Sequence, residues 1–285
     1  MNNCQFSSHM CPLLTPEKRY LLLAAIPEEY STFLSSTKPW TRWATKPFRI
    51  LIAKQPGKLL FFCPTGMGIR NIILHWENII NQTRPDLVIS FGFCGELFSS
   101  DHRKVFLVTH CYPFPPNSYF KPIEQPVSEE VIEFCNQHQI ALAKAITTPI
   151  FFPKKDLLKL LRTLITPRDM DHFKTYQTIV DMESALLANL AYRLSIPFLS
   201  LRATTDAHNE EIPFNVEELL NEQGFVSPKK AILMLSRNPG LLLDFLHFWH
   251  VSRSASTALA STLRELIRLS PKAFELSPPQ VIFPG

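Results

Sequence analysis

Two acids stand where they could share one site. In the stretch TIVDMESALLANLAYRLSIPFLSLRATTDAHNE, residues 178–210, Glu183 follows the apolar β-branched pair Ile179 and Val180. Asp206 follows a second apolar run, Phe198-Leu199-Ser200-Leu201. A carboxyl that keeps its proton can protonate a leaving group, and an ionised one can activate a water. Between the two runs Leu186, Leu190 and Leu194 recur every four residues beside Ala185, which predicts one helical face, and Pro197 ends that helix. Strand, helix, strand is the expected order. A parallel pair would open both C-terminal ends onto one sheet edge, the place where α/β sheets bind ligands. Each acid also has an ordinary explanation. Glu183 lies near a helix start, where a carboxylate suits the dipole, and Asp206 fits a turn.

The elements that must position them extend along the whole chain. Residues 20–26 form a continuous apolar run, suited to a central strand, and Pro27-Glu28-Glu29 ends it. Glu28 and Glu29 there can simply open a helix through Phe33 and Leu34. Residues 48–53 and 59–63 predict a hairpin around Pro56-Gly57. Thr65-Gly66-Met67-Gly68 turns into a helix holding Ile69, Ile72, Ile73, Trp76 and Ile80. Its glycines allow close backbone approach, but no third glycine makes a dinucleotide fingerprint. Strands are expected over 85–95, 105–110 and 140–146, with a Pro-rich aromatic loop at 111–120. Helices are expected over 129–139 and 154–164. Phe151 and Phe152 sit between Pro149 and Pro153, where paired rings commonly plug a core. Helices are then expected at 216–220, 229–235, 241–250 and 254–269, with Pro228 and Pro239 as boundaries.

Length and composition bound the rest. The 285 residues are 46% hydrophobic and 19% charged, which fits a globular domain. Twenty-four Pro against eight Gly imply stiff loops. A net charge of +4 without a long Lys/Arg run argues against a nucleic-acid partner. The six cysteines, at 4, 11, 63, 94, 111 and 135, have no C-x-x-C spacing and no zinc pattern. Cys63, Cys94 and Cys111 are expected as small core residues, in a reduced cytoplasmic setting. No signal peptide and no apolar run of ~20 residues is present, so no membrane is expected. The expected organisation is an extension at 1–17, one α/β domain at 18–269 with a helical insertion at about 212–252, and a Pro-rich tail at 270–285.

Val180-Asp181-Met182-Glu183-Ser184-Ala185, Ile196-Pro197-Phe198 and Arg202-Ala203-Thr204-Thr205-Asp206 resemble the nucleoside phosphorylase and nucleosidase superfamily. The branch they most resemble is that of 5'-methylthioadenosine/S-adenosylhomocysteine nucleosidases and futalosine hydrolases. Its pattern is V-E-M-E-A, then a P-F strand, then R-A-x-S-D. Asp181 and Thr205 depart from it. Residues 85–97 are similar to P-D-x-v-I-N-T-G-S-A-G-G-L, with Gly92, Gly95 and Leu97 matching and Phe93 and Glu96 replacing Ser and Gly. By the order of elements the resemblance runs from about residue 19 to about residue 269.

The resemblance implies a single-domain three-layer α/β sandwich around a central mixed, twisted sheet. It also implies roles. Asp206 binds the base and protonates purine N7, Glu183 and Met182 take the ribose, and Glu29 activates the attacking water. Phe151 stacks on the base and Phe152 offers it backbone groups. Ile26, Gly66, Phe93, Cys94 and Gly95 line the site. No metal or redox cofactor is implied. A homodimer is, with the 111–120 loop closing a neighbour's 5' pocket.

Cleaving an N-glycosidic bond needs an acid at the base, a held water and a grip on the sugar. Phosphorylases of the superfamily carry G-D-P-x-R at the first strand end, where Ala25-Ile26-Pro27-Glu28-Glu29 stands here. They also carry an Arg before a glycine turn, where Ser90-Phe91-Gly92 stands. Hydrolysis is therefore expected. The expected substrate is an adenine nucleoside with a bulky 5' group facing Tyr112, Phe114, Tyr119, Phe120 and rings near residue 248. Of the candidates, 6-amino-6-deoxyfutalosine of menaquinone biosynthesis is preferred to 5'-methylthioadenosine or S-adenosylhomocysteine. A nucleoside-binding module without turnover is the alternative class. Asp181 and Phe93 allow it, and the joint retention of Glu29, Glu183 and Asp206 opposes it.

Overall fold

Alternate residues of the first apolar run face opposite ways, and both faces are covered. Tyr20, Leu22 and Ala24 join one buried cluster, and Leu21 and Leu23 join another. This is the pattern of a strand buried on both sides. The computed structural model describes residues 17–44, 49–98, 104–115, 122–222 and 224–282, with only the backbone at 69–71.

The run forms β1 (Lys18–Ala24), followed by α1 (Pro27–Ser36) and β2 (Thr41–Ala44). The expected hairpin is β3 (Ile50–Gln55) with β4 (Lys58–Pro64), turning through Gly57 at φ 71°. Next come α2 (Ile69–Thr83), β5 (Leu87–Phe98), β6 (Val105–Pro113), β7 (Ile123–Glu124), α3 (Glu129–Gln137) and β8 (Ala141–Thr147). The second half holds α4 (Lys154–Leu164), α5 (Pro167–Thr175), β9 (Thr178–Asp181), α6 (Ser184–Arg193) and β10 (Phe198–Asp206). A 3-10 turn at Val216–Leu219, α7 (Pro228–Arg237), α8 (Leu242–Leu266), a 3-10 turn at Pro271–Phe274 and β11 (Gln280–Val281) complete it.

The strands make one mixed sheet, in the order β11-β7-β6-β8-β9-β5-β1-β4-β3-β2, with β10 paired to both β5 and β6. β5, β9, β8, β6 and β10 thereby close a ring. One face carries α1, α3 and α8 through Phe33, Phe134, Leu259 and Leu263. The other carries α2 and α6 through Ile72, Trp76, Leu187 and Ala188. That is the expected three-layer α/β sandwich with a mixed sheet.

Several local expectations are corrected. β9 and β10 are not a parallel pair. β5 lies between them, antiparallel to β9 and parallel to β10. The two acids still converge, because Gly95 of β5 is in register with Val180 on one side and Asp206 on the other. The buried face of α6 is Ser184, Ala185, Leu187, Ala188 and Ala191. Leu186 and Leu190 are only half-buried, and Leu194 is exposed, because small side chains let this helix lie close on the sheet. The helices expected at 241–250 and 254–269 are one helix, α8, since no Gly or Pro interrupts Val251-Ser252-Arg253. The Pro-rich stretch after residue 270 packs against the sheet: Phe274 is buried edge-on against Tyr20, and β11 pairs with β7. The expectations for residues 1–16, for Tyr119 and Phe120 and for the Ile69 side chain lie outside the described residues.

Candidate active site

The site begins at the N-terminus of α1. Ile26 caps α1 without a side-chain acceptor, and Glu29 supplies one from inside the first turn. Its Oε2 accepts from the N–H groups of Ala25 (2.7 Å) and Ile26 (3.2 Å), and its Oε1 accepts from Phe93 N–H at 2.8 Å. A Cβ on Gly92 would lie 2.6 Å from Glu29 Oε1, so glycine is required for that approach. Burial raises the Glu29 carboxyl above its ordinary range, and the three N–H groups oppose the shift.

Glu183 caps α6 and meets the turn before α2, where Gly68 N–H donates to its Oε1 at 3.4 Å. Its carboxyl is pushed up to about 8, by burial first and then by Asp181, with Arg202 opposing. The unfolded chain ionises this group near 4.5. Between these values the folded state holds the extra proton, so stability is present below the lower value and is lost as pH rises through the upper. Thermal midpoints are expected to fall from pH 5 to pH 8, and Glu183→Gln is expected to flatten much of that fall. An identical slope in the variant would remove Glu183 as its source.

Asp206 ends β10 and is 8% exposed. Its Oδ2 pairs with Lys154 Nζ at 2.5 Å, and its Oδ1 accepts from Thr205 Oγ1 at 3.0 Å. Burial raises this carboxyl, and Lys154 and Thr205 pull it down, leaving it above the ordinary range. Beneath the acids lies a buried ion pair. Arg202 Nε donates to Asp181 Oδ2 at 2.8 Å, and Arg202 Nη2 donates to Ser90 Oγ at 3.0 Å. Asp181 also accepts from Thr147 Oγ1 at 2.6 Å and from the N–H of Ser184. Asp181 is thus an anchor under the site.

These groups border a cavity of about 190 Å³. Ile26, Glu29, Phe93, Cys94, Gly95, Phe151, Phe152, Met182, Glu183 and Asp206 all reach it. Gly66 does not: the wall there is Met67, and Gly66 instead turns the backbone at φ 73° and donates its N–H to the Ala25 carbonyl. Phe93 also donates its backbone N–H to Glu29. Phe151 N–H is occupied by Glu217 Oε1 at 2.8 Å, and the Phe152 ring packs edge-on against Phe114. A second cavity of about 10 Å³, room for about one water, lies between Glu29, Glu183, Arg202 and Ser90.

Sequence reasoning missed three parts of the wall. Glu28, read as a helix opener only, reaches the cavity, and so does Ser252 of α8. Glu28 Oε2 and Ser252 Oγ are buried without a partner among the described residues. The far wall comes from Ile212, Val216, Leu219, Val226, Phe245 and Phe248. Tyr112 and Phe114, expected in that wall, pack instead against Phe173 and Phe152. Lys154 was the third omission. A lysine at the first position of a helix opposes the dipole, and that mismatch was its one local signal.

A mixed α/β sheet with acids just beyond three strands, all reaching one cavity, has the make-up of a small-molecule site. The chain belongs to the phosphorylase superfamily, whose family model matches residues 19–229. It is similar to a 5'-methylthioadenosine/S-adenosylhomocysteine nucleosidase of Lysinibacillus sphaericus, 22% identical over 218 residues, covering 70% of this chain and 90% of the relative. Its fold is similar to that of the Helicobacter pylori 5'-methylthioadenosine/S-adenosylhomocysteine nucleosidase, with TM-score 0.62 and 14% identity, covering 89% of this chain and 99% of the other. The futalosine hydrolase of Helicobacter pylori has a similar fold too, with TM-score 0.61, 14% identity, and 88% and 98% covered. No helix among the described residues is long and apolar enough to cross a membrane.

Proposed function

We propose that the chain hydrolyses the N-glycosidic bond of adenine nucleosides carrying an apolar 5' group. The observation that carries this reading is the convergence of Glu29, Glu183 and Asp206 on one cavity, with a water-sized space beside Glu29. Asp206, buried enough to hold a proton, donates it to N7 of the base as the bond breaks. Glu183 and Met182 grip the ribose, and Phe151 and Phe152 hold the purine. Glu29, oriented by three N–H groups, takes the proton of the attacking water. Proton donation of this kind contributes about 10²–10⁴-fold.

Water is favoured over phosphate as the nucleophile. Arg202, the cation beside the small cavity, is already paired with Asp181 and Ser90. A phosphate dianion there would face Glu29 and Glu183 without a free cation, at a cost of several kcal/mol.

The 5' group would face Ile212, Val216, Leu219, Phe245 and Phe248. The breadth of that wall supports an aryl substituent, as in 6-amino-6-deoxyfutalosine. One observation favours 5'-methylthioadenosine instead. Among the described lining residues the cation is Lys154, already bound to Asp206, so an aryl carboxylate would meet no free cation. A homodimer through the 111–120 region is proposed with the same reading, from the family resemblance.

The test is adenine release from equal concentrations of aminodeoxyfutalosine, 5'-methylthioadenosine, S-adenosylhomocysteine, adenosine and inosine. Burying one apolar group against the far wall contributes roughly 1.5–3 kcal/mol, which is about one to two decades in kcat/KM. The 5'-substituted compounds are expected to exceed adenosine by that factor, and the best of them names the substrate. Equal rates on adenosine would contradict the pocket assignment.

A further inference from the structure

Lys154 lies in this site with no part in the chemistry above. It is 6% exposed, and its ammonium meets four oxygens. Three are the carbonyls of Asp206 (3.0 Å), Ala207 (2.5 Å) and Glu210 (3.0 Å), and the fourth is Asp206 Oδ2 (2.5 Å). Three N–H donors face four acceptors, so every donor of the ammonium has a partner. A Cβ on Gly95 would lie 2.8 Å from Asp206 Oδ2 and 3.0 Å from Lys154 Cε, so the pair depends on glycine there.

Resting on the nucleosidase reading, we propose that Lys154 is a positioning residue for the general acid. It pins the turn from Asp206 to Glu210, reserves Oδ2 for itself so that Oδ1 carries the proton, and sets the pH range over which that proton is held.

With Oδ2 fixed on the ammonium, delivery breaks the Oδ1–H bond and makes the N–H bond at the base. Asp206 is left as a carboxylate, and the water's proton goes to Glu29. The charge that appears on Asp206 therefore develops 2.5 Å from a fixed cation, which stabilises it where it forms. Burial makes Asp206 a weaker acid, and Lys154 offsets part of that effect. The other charges near the pair are committed elsewhere or act against it. Glu210 disfavours the carboxylate, Glu211 is drawn to Lys155, and Glu217 is held by Phe151 N–H. On β10 itself Arg202 is paired with Asp181, and on α1 Glu29 is held by backbone N–H groups. Glu183 lies at the cavity's other edge, on Gly68 N–H.

Activity that needs protonated Asp206 is lost as pH rises through its pKa. Removing the cation raises that pKa, by about 1–3 units for an opposite charge this close. Lys154→Met is therefore expected to move the alkaline limb of the kcat/KM profile upward by about that amount. Its plateau kcat should drop roughly tenfold, as a weaker acid donates less readily, with KM little changed. Lys154→Arg, which keeps the charge, is expected to keep the limb near the wild-type position. An unmoved limb in a folded Lys154→Met enzyme would overturn the proposal. If Lys154→Met does not fold, Lys154→Arg decides alone: a limb held in place supports the proposal and a displaced one overturns it. If wild-type protein releases base from no nucleoside, it is the nucleosidase reading that fails. The carboxyl ¹³C titration of Asp206 in wild type and Lys154→Met then tests the coupling without turnover. An upward shift supports the pairing, and none overturns it.

Discussion

Asp206→Asn is expected to lower kcat by about 10²–10⁴-fold while leaving the fold intact. The amide keeps the shape of the carboxyl, and its oxygen can still accept from Lys154, so the turn that ends β10 has no reason to move. What is lost is the proton that Oδ1 would deliver to the base. Substrate binding should change far less than kcat, because the side chains proposed to hold the ribose and the base, Glu183, Phe151 and Phe152, are untouched. Adenine release followed by absorbance, with thermal unfolding as the control for structure, checks both halves. A rate near that of the wild type would remove Asp206 from the mechanism.

Arg202→Met is expected to destabilise the fold severely. Arg202 is 1% exposed, and its partner Asp181 is 4% exposed. Truncating the cation leaves a buried carboxylate uncompensated, which costs about 3–5 kcal/mol. Against a typical total of about 5–15 kcal/mol, that is a large share. The damage should be electrostatic more than steric, so Arg202→Met with Asp181→Asn should recover part of it. Urea midpoints of the wild type, the single variant and the double variant read this directly. A single variant within about 1 kcal/mol of wild type, beyond the scatter of ordinary surface changes, would show that the pair is dispensable.

Much of this was legible in the chain because strand ends announce themselves. The runs before Glu29, Glu183 and Asp206 are apolar and stop at a proline, a helix start or an acidic turn, and the structure brings all three acids to one cavity. The route by which they meet was not legible. Two strands joined by one helix suggested a parallel pair, but β5 threads between β9 and β10, and pairing across the sheet depends on contacts far apart in sequence. The leucine spacing in α6 misled for a related reason. A helix lying close to a sheet buries its small residues, and Ala185, Ala188 and Ala191 give no strong apolar signal. The far wall of the pocket went partly unrecognised because its residues come from the 3-10 turn, the loops around it and α8. Apart from its mismatch with the helix dipole Lys154 gave no signal, because a buried lysine is defined by the carbonyls around it, and those belong to a turn about fifty residues later.

The central claim is that water, and not phosphate, attacks the sugar. The direct measurement is the sugar product formed from the best nucleoside in ¹⁸O-labelled water, with and without millimolar phosphate. The account predicts free ribose-type sugar with the label at the anomeric oxygen, formed at a rate indifferent to phosphate. A sugar 1-phosphate as the product would contradict it.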